Sequence, residues 1–375
     1  MSQRNIYHFL SSAARRQYAE DIIRALALPP GAHLQFRYSE RLVADNVCKD
    51  IQNSSIVGSE CLISFLNSNQ KGVPPQVVPC RKGKIVKAGY FGSFAVIVFS
   101  VGDFVFSSDP RVFTDELRKN CNDQVPKWTT VEDNMDLVGH WAFSTSTYPA
   151  EENQAYDLSV FSNTVEQLSA LYPFNEEDDA GLNPFFHVLV LDQLEQSTDD
   201  DFSNADLERS IEMINGRLFL KAGGQYSIRI HHYYPRSGRY VRKYARNLIV
   251  DLDGLAPQYS DIIKLRISSE YDVKEVLFKA ISDIFTKQKR ISIVIENATP
   301  NSQEGPFADI QIPVVVRPAT LKGITQSLLI GFGVALPAVI GASVIPDVGF
   351  WTYFFMILSG LAAGFGAVYG LRHGL

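Results

Sequence analysis

The residues best equipped for chemistry in this chain lie together in "HHYYPRSGRYVRKYAR", residues 231 to 246. From Met213 to Val250 no Asp or Glu occurs, while Arg217, Lys221, Arg229, Arg236, Arg239, Arg242, Lys243 and Arg246 bring eight positive charges into a chain of net charge −6. The pattern predicts two strands joined through Pro235-Arg236-Ser237-Gly238, because proline presets φ and glycine accepts φ > 0 in a turn. Side chains alternate along a strand, so Tyr240, Arg242, Tyr244 and Arg246 share one face and Arg229, His231 and Tyr233 share a face of the neighbouring strand, with Arg239 beside the turn. Rings interleaved with guanidinium groups suit a single-stranded nucleic acid or a nucleotide, since bases stack on rings while arginine pairs with phosphate. Three plainer roles fit the same residues: a solvated hairpin face, a partner for the acidic runs Glu176–Asp179 and Asp199–Asp201, or a contact with anionic lipid headgroups. A second basic run, "CRKGKIVK" with Arg81, Lys82, Lys84 and Lys87, reads as a solvated turn.

Other clusters give less. The chain has no G-x-S-x-G, no G-x-x-x-x-G-K-[ST], no H-E-x-x-H and no G-x-G-x-x-G, and among its seven histidines only His231 and His232 adjoin. Asp109, Glu116 and Lys119 in "SDPRVFTDELRK" loosely resemble a nuclease's carboxylates and lysine, but their helical spacing reads as a charged solvent face. "DLDG" (251–254) lacks the rest of a calcium loop and reads as a turn. Cys48, Cys61, Cys80 and Cys121 form no C-x-x-C pair, so reduced and mostly packed thiols are expected. The expectation is a non-enzyme, with no cofactor and no metal.

The elements that must carry these residues are mostly strands. Residues 11–28, with Tyr18, Ile22 and Leu26 at four-residue spacing, predict an amphipathic helix stopped by Pro29-Pro30-Gly31. "HLQFRYSERLV" and "CLISFLN" read as strands, and "FAVIVFSVGDFVF" as two strands about Gly102-Asp103. "VFTDELRKNC" and "LSVFSNTVEQLSALY" have helical spacing, and "FFHVLVLDQL" returns to strand. "NADLERSIEMIN" reads as a short helix, and seven strand-like segments follow it up to Val316, a count that suggests a β-sandwich. The predicted class is therefore an N-terminal α+β domain (1–198), a β-sandwich-like domain (199–320) and a C-terminal two-helix transmembrane hairpin (321–375).

The hairpin rests on two uncharged runs, residues 323–345 and 348–371, separated by Pro346-Asp347. About 20 apolar residues span the hydrocarbon of a bilayer, so each is long enough. Arg317, Lys322, Arg372 and His373 flank the pair, which places both ends and the remaining domains on the cytoplasmic side of the membrane. Gly331, Gly333 and Gly341 in the first run, and Gly360, Gly364, Gly366 and Gly370 in the second, would let helix backbones approach closely, and Pro337 would kink the first helix. One such hairpin encloses no pore, whereas several copies can. A passive anchor is the alternative.

A folded sensor ending in these two runs, together with the basic Tyr/Arg segment, resembles the membrane effectors of bacterial anti-phage defence systems, the channel-forming effector of the Hailong system being nearest. That resemblance is architectural and transfers no individual residue. It implies a homo-oligomeric, tetrameric channel controlled by short single-stranded DNA from a partner nucleotidyltransferase. The rival expectation is a membrane-anchored adaptor that binds a protein or lipid and conducts nothing.

Overall fold

Two apolar strands, β1 (Ile6–Ser12) and β3 (Glu60–Asn67), are buried almost throughout, whereas β2 (His33–Ser39) buries Leu34, Phe36 and Tyr38 and turns His33, Gln35 and Arg37 outward. That period of two marks a strand with one wet face. The structure is a computed structural model that describes residues 5–12, 16–67, 75–121, 140–146, 153–171, 185–192, 210–211, 213–233, 246–253, 255, 262–267, 271–281, 289–296 and 309–317. The long hairpin β4 (Gln76–Phe91) and β5 (Phe94–Phe106), then β6 (His140–Thr145) and β7 (Asn153–Ala155), complete a first sheet of order β2-β5-β4-β3-β1-β6, with β7 on β5. Only β1 and β3 pair in parallel within it. A bridge from Val43 to Ala142 ties the chain after β2 to the opposite edge, so the sheet curls back on itself. Phe9, Phe36, Tyr38 and Phe99 are buried against one another, Phe9 meeting Phe99 edge-on at 4.7 Å between centroids.

Four helices accompany this sheet among the described residues: α1 (Arg16–Ala27), α2 (Asp45–Gln52), α3 (Pro110–Asn120) and α4 (Leu158–Leu171). Helix α1 buries Ile22, Ile23 and Leu26, as its spacing predicts, but residues 11–12 belong to β1. Asp109 caps α3 by accepting from the Arg111 amide at 2.8 Å, and Glu116 pairs with Lys119 on the helix surface. The suspected nuclease residues are a cap and an ion pair.

Two further sheets follow. One has three strands in the order β14-β11-β8: β8 (Phe185–Asp192), β11 (Gln225–Tyr233) and β14 (Tyr271–Lys279). The other has six, in the order β13-β12-β15-β16-β10-β9: β9 (Met213–Ile214), β10 (Arg217–Lys221), β12 (Arg246–Asp251), β13 (Ile262–Ile267), β15 (Lys289–Glu296) and β16 (Asp309–Arg317). The expected strand segments appear as β10 to β16, the third of them, "RYVRKYARNLIV", only from Arg246 because residues 239–245 lie outside the described residues. The expected boundary at 198 lies between β8 and β11, which pair along their lengths from Tyr226–Asp192 to Tyr233–Phe185. One buried apolar cluster contains residues of all three sheets, among them Phe9, Val188, Ile230 and Ile312. Close packing joins them elsewhere too: Gly31, at φ 79, lies where a Cβ would sit 2.2 Å from the Met213 carbonyl oxygen.

The expected fold class needs correction. The described chain is mostly β, with sixteen strands against four helices, so the N-terminal half is not the balanced α+β unit that its three helical segments suggested. Among the described residues no helix is long and apolar enough to cross a membrane. The predicted transmembrane hairpin, with Gly331, Gly333, Pro337, Gly360, Gly364, Gly366 and Gly370, lies outside the described residues. Two local readings also change. Gly102-Asp103 is no turn, because β5 runs through it: the bare Gly102 Cα lets the Lys82 carbonyl approach to 3.2 Å of where a Cβ would be. The end of the expected helix in "NADLERSIEMIN" is strand β9, and Ser210 forms a bridge to Leu191; residues 204–209 lie outside the described set.

The buried group on which this packing turns is Arg81 of β4, which is fully inaccessible. Its Nη1 donates to the carbonyls of Ala25 (3.2 Å), Leu26 (3.4 Å) and Leu28 (3.1 Å), and its Nε donates to Gly102 at 2.8 Å. Nη2 also donates to Gly102, and the guanidinium lies 4.1 Å from the centre of the Phe104 ring. The last carbonyls of α1 have no intrahelical partner and carry the negative end of the helix dipole, so the cation both satisfies and neutralises them. Burial pulls its pKa down to about 10, which leaves it charged. Arg81→Met should cost about 3 kcal/mol or more in denaturant unfolding, because several buried acceptors lose their donor. Arg81→Lys should recover little of it, since one ammonium cannot span the same set of oxygens.

Candidate functional site

Strand β11 carries three of the residues expected to bind a ligand, and each has a partner within the fold. Arg229 is half-buried and pairs with Glu275 of β14 at 3.3 Å. His231 is buried with Nδ1 3.1 Å from the Tyr271 hydroxyl, and Tyr233, also buried, donates to Glu166 of α4 at 2.8 Å. Strand β11 is flanked on both sides, by β8 and β14, while β12 is flanked by β13 and β15 in another sheet. His231, His232 and Tyr233 therefore pair with β8 and β14, and Arg246 pairs with β13; the rest of the expected hairpin, residues 234–245, lies outside the described residues. Arg246 opens β12, and Arg239, Tyr240, Arg242 and Tyr244 lie outside the described residues. The strands on either side of residues 234–245, β11 and β12, belong to different sheets.

The polar centre that the structure does assemble lies on the inward face of β8 and β11. His187 of β8 stands opposite His231 in the register. Its Nδ1 is 2.8 Å from the Leu26 carbonyl oxygen, which can only accept, so Nδ1 carries the proton and donates. Nε2 is then the acceptor for the Tyr156 hydroxyl at 3.0 Å. Rings of Phe104, Tyr156 and Phe161 surround the imidazole, with centroids 5.0, 5.7 and 5.8 Å away. Phe104 is the ring beneath Arg81, and Leu26 is a carbonyl that Arg81 shares. Arg81, Leu26, His187 and Tyr156 thus form one buried seam joining the first sheet, α1 and the three-stranded sheet.

Its electrostatics hold the histidine neutral. Burial, then the positive charge of Arg81, lowers the His187 pKa well below the ordinary value. Burial also lowers His8 to about 3 and His232 to about 4, although Asp272, 3.8 Å from His232, works the other way. His8, stacked on Phe143, contacts the Thr145 hydroxyl at 2.8 Å. Burial pushes the Cys80 thiol up to about 12 and Cys61 higher still, so neither supplies a thiolate near neutrality. Among the described residues no group of three or more His, Cys, Asp or Glu is placed to hold a metal ion. The seam's chemistry is that of a fixed hydrogen-bond network: it orders elements and resists protonation.

Sequence reasoning missed this centre. "CRKGKIVK" is strand rather than turn, with Arg81 buried, Lys82 half-buried, and Lys84 and Lys87 exposed. The available signals were an arginine directly after the apolar "VVPC" and a histidine inside the apolar "FFHVLVL". Searches against known protein families and against curated proteins find no match for this chain.

These buried neutral histidines set the acid response. Each binds a proton near pH 6.5 when unfolded but resists it when folded, so its stabilisation is complete above about pH 6.5 and falls as pH drops. Asp21 opposes them: burial raises it to about 6 despite Arg24, so its contribution is lost as pH rises through that value. Three histidines against one carboxyl leave a net loss on the order of 2 kcal/mol per pH unit near pH 5. In denaturation at pH 7, 6 and 5, His187→Gln should be less stable at pH 7 but show a shallower decline.

Proposed function

We propose that the protein is a ligand-controlled, homo-oligomeric membrane channel, with its β-rich body as a cytoplasmic sensor for a phosphate-bearing oligonucleotide or nucleotide. The observation that carries the membrane part lies in the sequence: two runs without a charge, 323–345 and 348–371, each long enough to reside in lipid. The observation that carries the ligand part is the acid-free basic segment through residue 246. Its place in the fold supports a sensing role. Residues 234–245 connect β11 of one sheet to β12 of the other, and β12 is followed across that sheet by β15 and β16. Strand β16 ends at Arg317, six residues before the first uncharged run. A ligand bound by Arg239, Tyr240, Arg242, Tyr244 and Arg246 would bear on both sheets and, through β16, on the segment in the membrane. Control of an anti-phage response is the biological setting that the architectural resemblance suggests, with short single-stranded DNA from a nucleotidyltransferase as the ligand.

The absence of charge in both runs favours one second reading, a membrane-anchored adaptor that conducts nothing, because no side chain there marks an ion path. Titration of a short single-stranded DNA into the full-length protein should show Arg242→Glu with Arg246→Glu weakening binding at least about tenfold at low salt, with the unfolding midpoint unchanged. Unaltered affinity removes this segment as the site. Reconstituted liposomes should then pass ions in a DNA-dependent manner; binding without flux assigns the adaptor.

A further inference from the structure

We propose that the tip of the β4–β5 hairpin is a docking element for an anionic bilayer surface. Strand β3 accompanies β4 only as far as the rung Glu60–Lys84. Beyond it β4 continues as an edge beside β5, with β2 on the far side of β5. The hairpin closes through Gly92-Ser93, Gly92 adopting φ 60, with Phe91 opposite Phe94 on the last rung. Phe91 is 78% exposed, more than any other large apolar side chain among the described residues.

Register puts the charges behind this ring. Phe94, Val96, Val98 and Ser100 share one face of β5; their partners are Phe91, Gly89, Lys87 and Lys84 on β4 and Ser39, Arg37, Gln35 and His33 on β2. Arg37, Lys84 and Lys87 are all exposed there, and the Arg37 guanidinium lies 4.4 Å from the Phe94 ring centre. A Cβ added at Gly89 would meet nothing within 4 Å, so the face is open. Glu60 stands across from Lys84, and the Glu40 amide donates to the Ser93 carbonyl at the turn. Lys84 and Lys87 of β4, with Arg37 of β2, put positive charge behind Phe91. Lys87 trails Phe91 by four residues, about 13 Å of strand, a distance its long side chain can shorten towards lipid phosphates while Phe91 enters the acyl boundary. A single-stranded nucleic acid fits less well, because stacking of successive bases needs a run of open rings and Arg37 already covers Phe94.

This inference does not depend on the C-terminal runs or on an oligonucleotide, and its test reads the tip alone. The full-length protein with Cys48→Ser and Ser93→Cys is labelled with a polarity-sensitive fluorophore and mixed with phosphatidylcholine vesicles containing or lacking phosphatidylserine. The expected result is a blue shift on the anionic vesicles only, weakened by high salt. Phe91→Ser, or Lys84→Glu with Lys87→Glu, should reduce the apparent partitioning at least about tenfold, with an unchanged unfolding midpoint showing that the fold survives. Emission that does not respond to anionic vesicles, or that responds equally in the variants, overturns the proposal. A response to single-stranded DNA but not to vesicles also overturns it and assigns the face to nucleic acid.

Discussion

Arg81 carries a positive charge into a place water does not reach, and the arrangement of the first sheet, α1 and the three-stranded sheet follows from keeping that charge satisfied. Its oxygens come from the end of α1 and from Gly102 on the adjoining strand. The next ligand of the Leu26 carbonyl is His187, from a strand that pairs with β11 rather than with the first sheet. Each group is satisfied only if all three elements are in register, because a desolvated charge or a bare buried carbonyl costs several times what a surface contact returns. A cluster of this kind specifies position more than it adds stability.

Much of the fold was legible because alternation and short apolar runs survive in the sequence. Leu34, Phe36 and Tyr38 of β2 announced their strand, as did the segments that became β10 to β16. Sheet membership was not legible, since the partners of a strand are chosen by distant residues. Nothing local in "QYSIRIHHYY" says that β11 pairs with β8, about 40 residues earlier, instead of with the following strand. The site was illegible for the same reason: Arg229, His231 and Tyr233 alternate as a ligand face should, but their partners, Glu275 and Tyr271 of β14 and Glu166 of α4, come from distant segments. Gly102-Asp103 looked like a turn because the backbone approach that needs the glycine comes from β4, out of view of local pattern.

The functional picture divides along this chain. Buried His8, His187 and His232 and the high thiol of Cys80 describe a body built to hold its shape near neutrality. Among the described residues the feature suited to a partner is the projecting Phe91, while the basic residues 236–244 and the two uncharged runs lie outside them. A rigid body with peripheral contacts can transmit a binding event because its sheets pack on one buried core instead of sliding on each other.

The central claim is that the three sheets form one cooperative unit through their common buried core, with the Arg81 and His187 seam fixing the first sheet and α1 against the three-stranded sheet. Hydrogen exchange across a denaturant series, comparing amides of β1 and β3 with those of β11 and β15, tests it most directly. The account predicts that both sets converge on the same opening free energy and exchange through one global transition. Exchange of β11 and β15 at a distinctly lower denaturant concentration, while β1 and β3 stay protected, would contradict it.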